Sequence, residues 1–223
     1  MREFFKRWPN FYYFIASTFG PLMYGGLSAK KFISLYPCDG LKLNLGSGPR
    51  VVAAEIKNVD LFAYKDVDIV ADIANLPLPN NSVDRIICDN VLEHIDQPRK
   101  VVIESGRVLR SGGLAYFCIP FLYPFHRSPN DYNRWTKEGL QELFRDFEII
   151  KIGTRCGPFS ALAVNLCYLF ATIFSFGLPT LYWIMLDLSI FIFWPIKLPD
   201  LIFNNIPNSE NMAAVLYIVV KKK

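Results

Sequence analysis

Leu43-Asn44-Leu45-Gly46-Ser47-Gly48-Pro49 is the stretch on which the fold turns. An apolar run, Leu41 to Leu45, ends in two glycines spaced by a serine. Glycine adopts positive φ without penalty and lets a backbone approach a ligand closely. At the end of a first strand, such a turn borders the ligand crevice of open α/β sheets. A lone Gly-x-Gly is a weak signal, and the following segments strengthen it. A second strand is centred on Val59 and ends at Asp60, and a third runs from Val67 to Asp72. A fourth covers Val83 to Cys88 and leads into Asp89 and Asn90. Successive strand ends therefore carry polar groups on one rim. Asp60 is placed to accept hydrogen bonds from ribose hydroxyls, and Asp72 to meet an adenine amino group. Each acid alone reads equally as a turn residue, and Asn90-Val91-Leu92-Glu93 has the form of a capping box.

Outward from this rim, strands alternate with helices. Pro98 suits the first turn of a helix whose apolar face is Val101, Val102, Val108 and Leu109. Ser111-Gly112-Gly113 is expected to stop it. A fifth strand covers Leu114 to Phe121. Thr136 is a good N-cap for a helix carrying Leu140, Leu143, Phe144 and Phe147. Glu148 to Ile152 reads as a sixth strand and Ala213 to Val220 as a closing one. The pattern predicts a mostly parallel α/β sheet covered on both faces. Eleven residues separate Gly48 from Asp60, too few for a full crossover helix. The first crossover helix is expected to shrink to about a turn. That argues against a dinucleotide ligand, whose pyrophosphate needs a helix amino terminus.

Composition narrows the classes further. Apolar residues make up 52%, aromatics 15% and charged residues 20%, with net charge +4 and two histidines. No long basic run exists beyond Lys221-Lys222-Lys223, so nucleic acid is not an expected partner. The five cysteines form no Cys-x-x-Cys pair, which argues against a disulfide framework or a zinc site; no metal ligands are singled out. A reducing cytoplasm suits them. Residues 11–27, apolar after Arg2, Lys6 and Arg7, superficially resemble a signal peptide. Pro9, Gly20, Pro21, Gly25 and Gly26 interrupt the run, and residues 1–40 are read as an interfacial or packing arm.

The order of motifs resembles class I S-adenosylmethionine-dependent methyltransferases. The matching pieces are LNLGSG (43–48), NVD (58–60), DIVADIANLPLPNNSVDRI (68–86), NVLEHI (90–95) and RVLRSGGLAYFCIPF (107–121). The resemblance implies a Rossmann-like open sheet of about seven strands with the last antiparallel, and S-adenosylmethionine as cofactor. By this match Gly46, Ser47 and Gly48 border the methionine part, Asp60 the ribose and Asp72 the adenine. Leu45, Leu61, Ile73, Asp89 and Asn90 complete the expected cofactor set.

The acceptor side is expected in the loop after the fifth strand, Pro120 to Thr136. It looks like the H-x-x-P-x-D-Y-x-R-W/F-T segment of methyltransferases associated with sugar and polysaccharide biosynthesis. A hydroxyl acceptor must lose a proton, and His126 has a suitable pKa, with Asp131 to orient it or act instead. Tyr132, Arg134 and Trp135 are read as acceptor-binding. The bland alternative is that His126 caps a turn while Tyr132 and Trp135 pack the loop. Arg127 and Arg134 suit an anionic group or, equally, solvent. His94 reads as structural or cofactor-adjacent.

One segment breaks the alternation. From Cys156 to Ile196 the only charged residue is Asp187, and Gly177-Leu178-Pro179 splits the run into two apolar stretches. Each is near the ~17–25 residues that span a bilayer core. The expectation is a methyltransferase domain over 41–155 plus 211–223, with 156–210 as an apolar helical hairpin inserted before the last strand. Its basic flanks suit the cytoplasmic face of a membrane. Asp187 is a counter-argument, since a mid-bilayer acid costs about 2.5–3.5 kcal/mol, and a lid or dimer contact is the alternative. The expected acceptor is amphiphilic, a lipid-linked sugar or glycolipid intermediate. The alternatives are a prenylated quinone-type lipid, or a catalytically silent membrane-bound scaffold that kept the sheet.

Overall fold

The computed structural model describes residue 15, residues 18–127 and residues 129–223. These fall into two compact units. One comprises residues 26–121, 125–155 and 215–223; the other comprises the described residues up to Gly25, with 122–124 and 156–214. Residues 11–14, 16 and 17 of the expected signal-like run at 11–27 lie outside the described residues.

The first unit is built on a seven-stranded sheet of order β3-β2-β1-β4-β5-β7-β6. The strands are β1 Lys42–Leu45, β2 Lys57–Asp60, β3 Ile69–Val70, β4 Val83–Asp89, β5 Leu109–Pro120, β6 Glu148–Cys156 and β7 Val215–Lys221. Strands β3, β2, β1, β4 and β5 run parallel, and β7 pairs antiparallel with β5. This is the expected Rossmann-like sheet, with the helical insert preceding the last strand.

Burial follows from the strand period. Every residue of β1 is buried, and Leu43, Leu45, Ile86, Ile87, Tyr116 and Phe117 lie at the centre of the core. Neighbouring strand residues point to opposite faces. Tyr116 meets Phe32 of helix α1 (Ala29–Leu35), with ring centroids 5.6 Å apart, and its hydroxyl donates to the Leu27 carbonyl at 2.8 Å. Phe117 meets Phe144, just past helix α3 (Lys137–Leu143), at 4.6 Å. Helices α1 and α3 therefore cover opposite faces. Thr136 caps α3 as expected, its hydroxyl accepting from the Gly139 N–H at 3.1 Å. Helix α2, Pro98–Val108, buries Val101, Val102 and Val108. Its Glu104 accepts from the Leu76 N–H at 2.6 Å and pairs with Arg107, which donates to the Leu76 and Leu78 carbonyls.

The structure corrects several local expectations. Residues 46–56 contain turns and no helix, so the first crossover is shorter than the single turn expected. Strand β3 is only two residues long. Ser111-Gly112-Gly113 does not stop α2. The helix ends at Val108, and the glycines lie inside β5, where Gly112 has φ +74° and the register with β4 shifts between Val83 and Arg85. Glycine serves a bulge here because an added Cβ at Gly113 would lie 2.8 Å from the Arg110 carbonyl. The capping box is absent: Leu92–His94 form a 3-10 turn with no side-chain cap, and Glu93 is fully buried.

The second unit carries helices α4 (Pro158–Phe174), α5 (Pro179–Phe193) and the short α6 (Asp200–Phe203). Asp200, fully buried, caps α4 from a distance: its carboxylate accepts from the Phe159 N–H at 3.1 Å and the Ser160 N–H at 2.7 Å. Phe176 and Gly177 take positive φ between α4 and α5, and Pro179 starts α5 at a position where proline is tolerated. Cys167 and Ala171 of α4 pack on Leu186 of α5, with Tyr168, Tyr182 and Phe193 around them. Lys197 donates to the Thr18 and Gly20 carbonyls, and the Met23 N–H to Ser160 Oγ, so residues 18–23 belong to this helical packing. Large apolar side chains remain exposed across these helices, among them Leu169, Phe176, Trp183, Phe191, Ile192 and Ile202. Pro179–Lys197, 19 residues with mean hydropathy 1.4, is long and apolar enough to cross a membrane; Pro158–Phe174 is shorter.

Candidate functional site

The glycine turn at the end of β1 forms as its residue types require. Gly46 and Gly48 have φ +63° and +53°. At Gly46 an added Cβ would meet Val91 Cγ1 at 2.5 Å, so only glycine lets these segments approach. At Gly48 an added Cβ would meet nothing within 4 Å, so the turn faces open space. Asp60 ties the turn to the end of β2. One carboxylate oxygen accepts from the Gly48 N–H at 2.8 Å and the other from the Phe62 N–H at 2.9 Å. Its backbone carbonyl accepts from the Ala71 N–H at 2.9 Å, joining the end of β3 to the same rim.

The remaining expected cofactor residues take distinct places. Leu45 is fully buried and Ser47 nearly so, with the Ser47 hydroxyl donating to the Gly48 carbonyl at 3.1 Å. Leu61 is exposed beside Asp60. Asp72 is exposed and accepts from the Ala74 N–H at 2.8 Å, while Ile73 is buried beneath it. Leu45 pairs with Cys88 across β1 and β4, which sets Gly46 beside Asp89 on the rim. Asn90 takes φ +56°, and its side chain donates to Asp89 at 2.8 Å.

The loop after β5 is laced to the turn after β4. The Tyr132 N–H donates to the Glu93 carbonyl at 2.8 Å, and Asn133 donates to the Ile95 carbonyl at 3.0 Å. His94 Nδ1 lies 2.5 Å from the Asn130 carbonyl. Asp131, almost fully buried, is gripped by the Arg134 guanidinium through both oxygens, at 2.5 and 2.6 Å, and also accepts from the His126 N–H at 2.8 Å. Burial pushes its carboxyl up, but the hydrogen bonds from Arg134 and His126 outweigh that and hold it below the usual range. Arg134 turns its fork on Asp131, donates to the Asn133 carbonyl at 2.7 Å, and brings Nη2 to 3.3 Å from His126 Nδ1. Tyr132 is exposed and Trp135 half-buried.

These ties gather three groups at one point. His126 Nε2 lies 4.0 Å, and His94 Nε2 3.8 Å, from the Glu93 carboxylate. The two imidazole rings meet edge to face with centroids 5.1 Å apart. Among the described residues no other residue donates a hydrogen bond to either Glu93 oxygen. Burial is the chief cause that pushes its carboxyl up to about 8, with its own backbone N–H and Arg134 opposing the shift and Asp131 and Asp89 adding to it. Sequence reasoning missed Glu93 because N-x-x-E matched a capping box; its one signal was adjacency to His94. A further cavity of about 260 Å³, lined by Val102, Ile103, Gly106, Phe147 and Lys222 among others, lies toward the opposite end of the sheet, where β7 finishes.

Comparisons with known proteins agree with this architecture. Residues 42–117 match the family described as "Methyltransferase domain". A 58-residue stretch is 40% identical to a probable S-adenosylmethionine-dependent methyltransferase of Mycobacterium tuberculosis (strain ATCC 25618 / H37Rv), covering 26% of this chain. That match spans only 21% of the relative's length. Among solved structures, a possible histamine N-methyltransferase from Thermotoga maritima superposes with TM-score 0.55 at 16% identity, over 100% of both chains. A Burkholderia thailandensis 1,6-didemethyltoxoflavin N1-methyltransferase gives 0.56 at 11% identity, over 100% of this chain and 86% of that one. A cyclase gives 0.53 at 16% identity, over 87% and 81%. At such identities the likeness is one of fold. The segment from β1 into β5 is therefore similar to a methyltransferase domain in sequence, and the whole chain to methyltransferases in fold.

Proposed function

We propose that this chain transfers a methyl group from S-adenosylmethionine to a hydroxyl of an amphiphilic acceptor, a lipid-linked sugar or glycolipid intermediate, at the cytoplasmic face of a membrane. The observation that carries the reading is the Gly48–Asp60 contact at 2.8 Å, which closes a glycine turn facing open space on the acid-bearing rim. The residues present fit the cofactor. Asp60 and Asp89 offer acceptors for ribose hydroxyls and for a cationic ligand, and the space over Gly48 admits a chain packed against backbone. Gly46, Ser47, Gly48 and Asp60 would hold the methionine and ribose parts, with Asp72 and Ile73 toward the adenine and Leu45, Leu61, Asp89 and Asn90 around them. The bound cofactor supplies an electrophilic methyl on a sulfonium.

The protein's part is positioning and proton handling. His126 is the proton-handling residue, its Nε2 facing Glu93 at 4.0 Å and its Nδ1 facing the Arg134 guanidinium at 3.3 Å. Asp131, locked by Arg134, holds His126 through its backbone N–H and acts as a positioning residue. Tyr132 and Trp135 offer aromatic surface to the acceptor. The many exposed large apolar side chains of α4 to α6 support the membrane reading, because soluble proteins rarely leave large apolar patches uncovered.

A cyclase shares the fold, so a non-methylating or silent binding protein is the second reading, and a prenylated quinone-type lipid is the second acceptor class. The deciding experiment is methyl transfer from labelled cofactor into a membrane-lipid extract, alongside calorimetric cofactor binding. Binding with transfer into a glycolipid fraction supports the proposal. Absence of cofactor binding sinks it, and label in a quinone fraction reassigns the acceptor.

A further inference from the structure

We infer that Glu93, His94 and His126 form a binding site for one divalent transition-metal ion, such as Zn²⁺, on the acceptor side of the domain. The inference rests on the functional reading above only for what the ion does, not for whether it binds. The three residues each offer one ligand atom, and these atoms lie within 4.8 Å of one another.

The first argument is the state of Glu93. Its side chain is fully buried, and among the described residues no other residue donates a hydrogen bond to either oxygen. A buried carboxylate is normally paired, hydrogen-bonded or metal-bound. The second argument is the tautomer of His94. Its Nδ1 lies 2.5 Å from a backbone carbonyl, which can only accept, so Nδ1 carries the proton. The neutral ring then presents the Nε2 lone pair to a carboxylate 3.8 Å away. Two acceptors facing each other need a cation or a shared proton between them. The separation is too long for a hydrogen bond. Donors on one tetrahedral ion at bond lengths of about 2.1 Å sit about 3.4 Å apart. The 3.8 Å to His94 and the 4.0 Å to His126 Nε2 exceed that by roughly half an ångström, which side-chain rotation on ion binding must close.

The surroundings also suit an ion. Metal-bound histidines are held by a carbonyl or carboxylate on the other ring nitrogen. Asn130 supplies the carbonyl for His94. At His126 the Arg134 Nη2 lies 3.3 Å and the Asp131 carboxylate 3.6 Å from Nδ1, so binding the ion requires the ring proton to move from Nε2 to Nδ1, toward Asp131. The His94 and His126 side chains are 13% and 30% exposed, which leaves coordination positions open on one side. Two imidazoles and one carboxylate favour a borderline ion over Mg²⁺ or Ca²⁺, which prefer all-oxygen sets. An acceptor hydroxyl on an open position would lose its proton to solvent while its oxygen stays on the ion. His126 then acts as a ligand rather than as the proton acceptor itself.

The test uses the full chain, stripped with EDTA and then freed of chelator. Titration with Co²⁺ should give one equivalent bound and visible d–d absorbance, and Zn²⁺ should displace it. His94→Gln and His126→Gln, with native folding checked by urea melts, should each weaken Co²⁺ binding by about a hundredfold while cofactor binding is unchanged. Glu93→Gln should do the same. Absence of a stoichiometric Co²⁺ complex at micromolar concentrations overturns the site, as does binding that both histidine variants leave unaltered. If the stripped protein binds cofactor and methylates at full rate, the ion's part in the reaction falls and the methyltransferase reading stands. If it binds Co²⁺ but never cofactor, the metal site stands and the methyltransferase reading falls.

Discussion

Glu93 and His126 come from different loops, yet the Glu93 carboxylate and His126 Nε2 face each other at 4.0 Å. The approach is built by backbone, through the Tyr132 N–H on the Glu93 carbonyl and the His126 N–H on Asp131. The acceptor loop is therefore fixed by hydrogen bonds that do not consume the facing side-chain atoms. Replacing His126 with Gln should lower kcat by about a hundredfold and leave cofactor affinity nearly intact. Single-turnover kinetics and calorimetry on the same variant check both halves. Unchanged chemistry would remove His126 from the mechanism.

Asp60 holds the glycine turn through the Gly48 N–H and offers its remaining lone pairs to a ligand. Asp60→Ala should weaken S-adenosylmethionine binding by about 1–3 kcal/mol, the worth of charge-assisted hydrogen bonds. Calorimetry measures it directly. Wild-type affinity in the variant would move the cofactor site elsewhere.

The two glycines of the turn should respond differently to alanine. Both pay for positive φ, at about 1–2 kcal/mol. Gly46→Ala also drives a methyl into Val91, adding about 1–3 kcal/mol of overpacking. Gly48→Ala meets no protein atom within 4 Å, so its larger effect should fall on ligand binding. Urea melts of the two variants, read beside cofactor titrations, should show this crossing. Equal losses of stability would contradict the local geometry.

Glu104 ties α2 to the loop at Leu76. Hydrogen bonds from Arg107 lead the causes that hold its carboxyl below the ordinary 4.5, against burial. The folded pKa lies below the unfolded one, so the contribution is complete above about pH 4.5 and fades as pH falls through the folded value. Glu104→Gln should cost about 2 kcal/mol at pH 7, and the gap to wild type should narrow below pH 4. Denaturant midpoints across that range provide the readout.

The helical unit should govern partitioning. Phe176, Ile192 and Ile202 are exposed at 80%, 54% and 73%. Changing all three to Gln should move protein from the membrane pellet to the supernatant while cofactor binding survives. A wild-type chain that is soluble and monodisperse without detergent would defeat the membrane reading and favour a contact between copies.

Strand positions, the glycine turn and the acids at strand ends were legible in the sequence because each depends on local chemistry: period-two burial, positive φ, and polar groups where a strand stops. Thr136 as a cap was legible for the same reason. What the sequence left open depends on distance. Ser111-Gly112-Gly113 reads locally as a helix stop, and only pairing of β5 with β4 and β7 turns it into a bulge. Asp200 reads as a surface acid, and only folding brings it to the start of α4. Glu93 reads as a cap, and its burial beside His94 and His126 arises only when the loop after β5 is drawn onto the turn after β4. Local pattern determined the elements and the rim. The tertiary structure alone decided which side chains lost water together, and that loss is what gives a carboxylate between two imidazoles its chemistry.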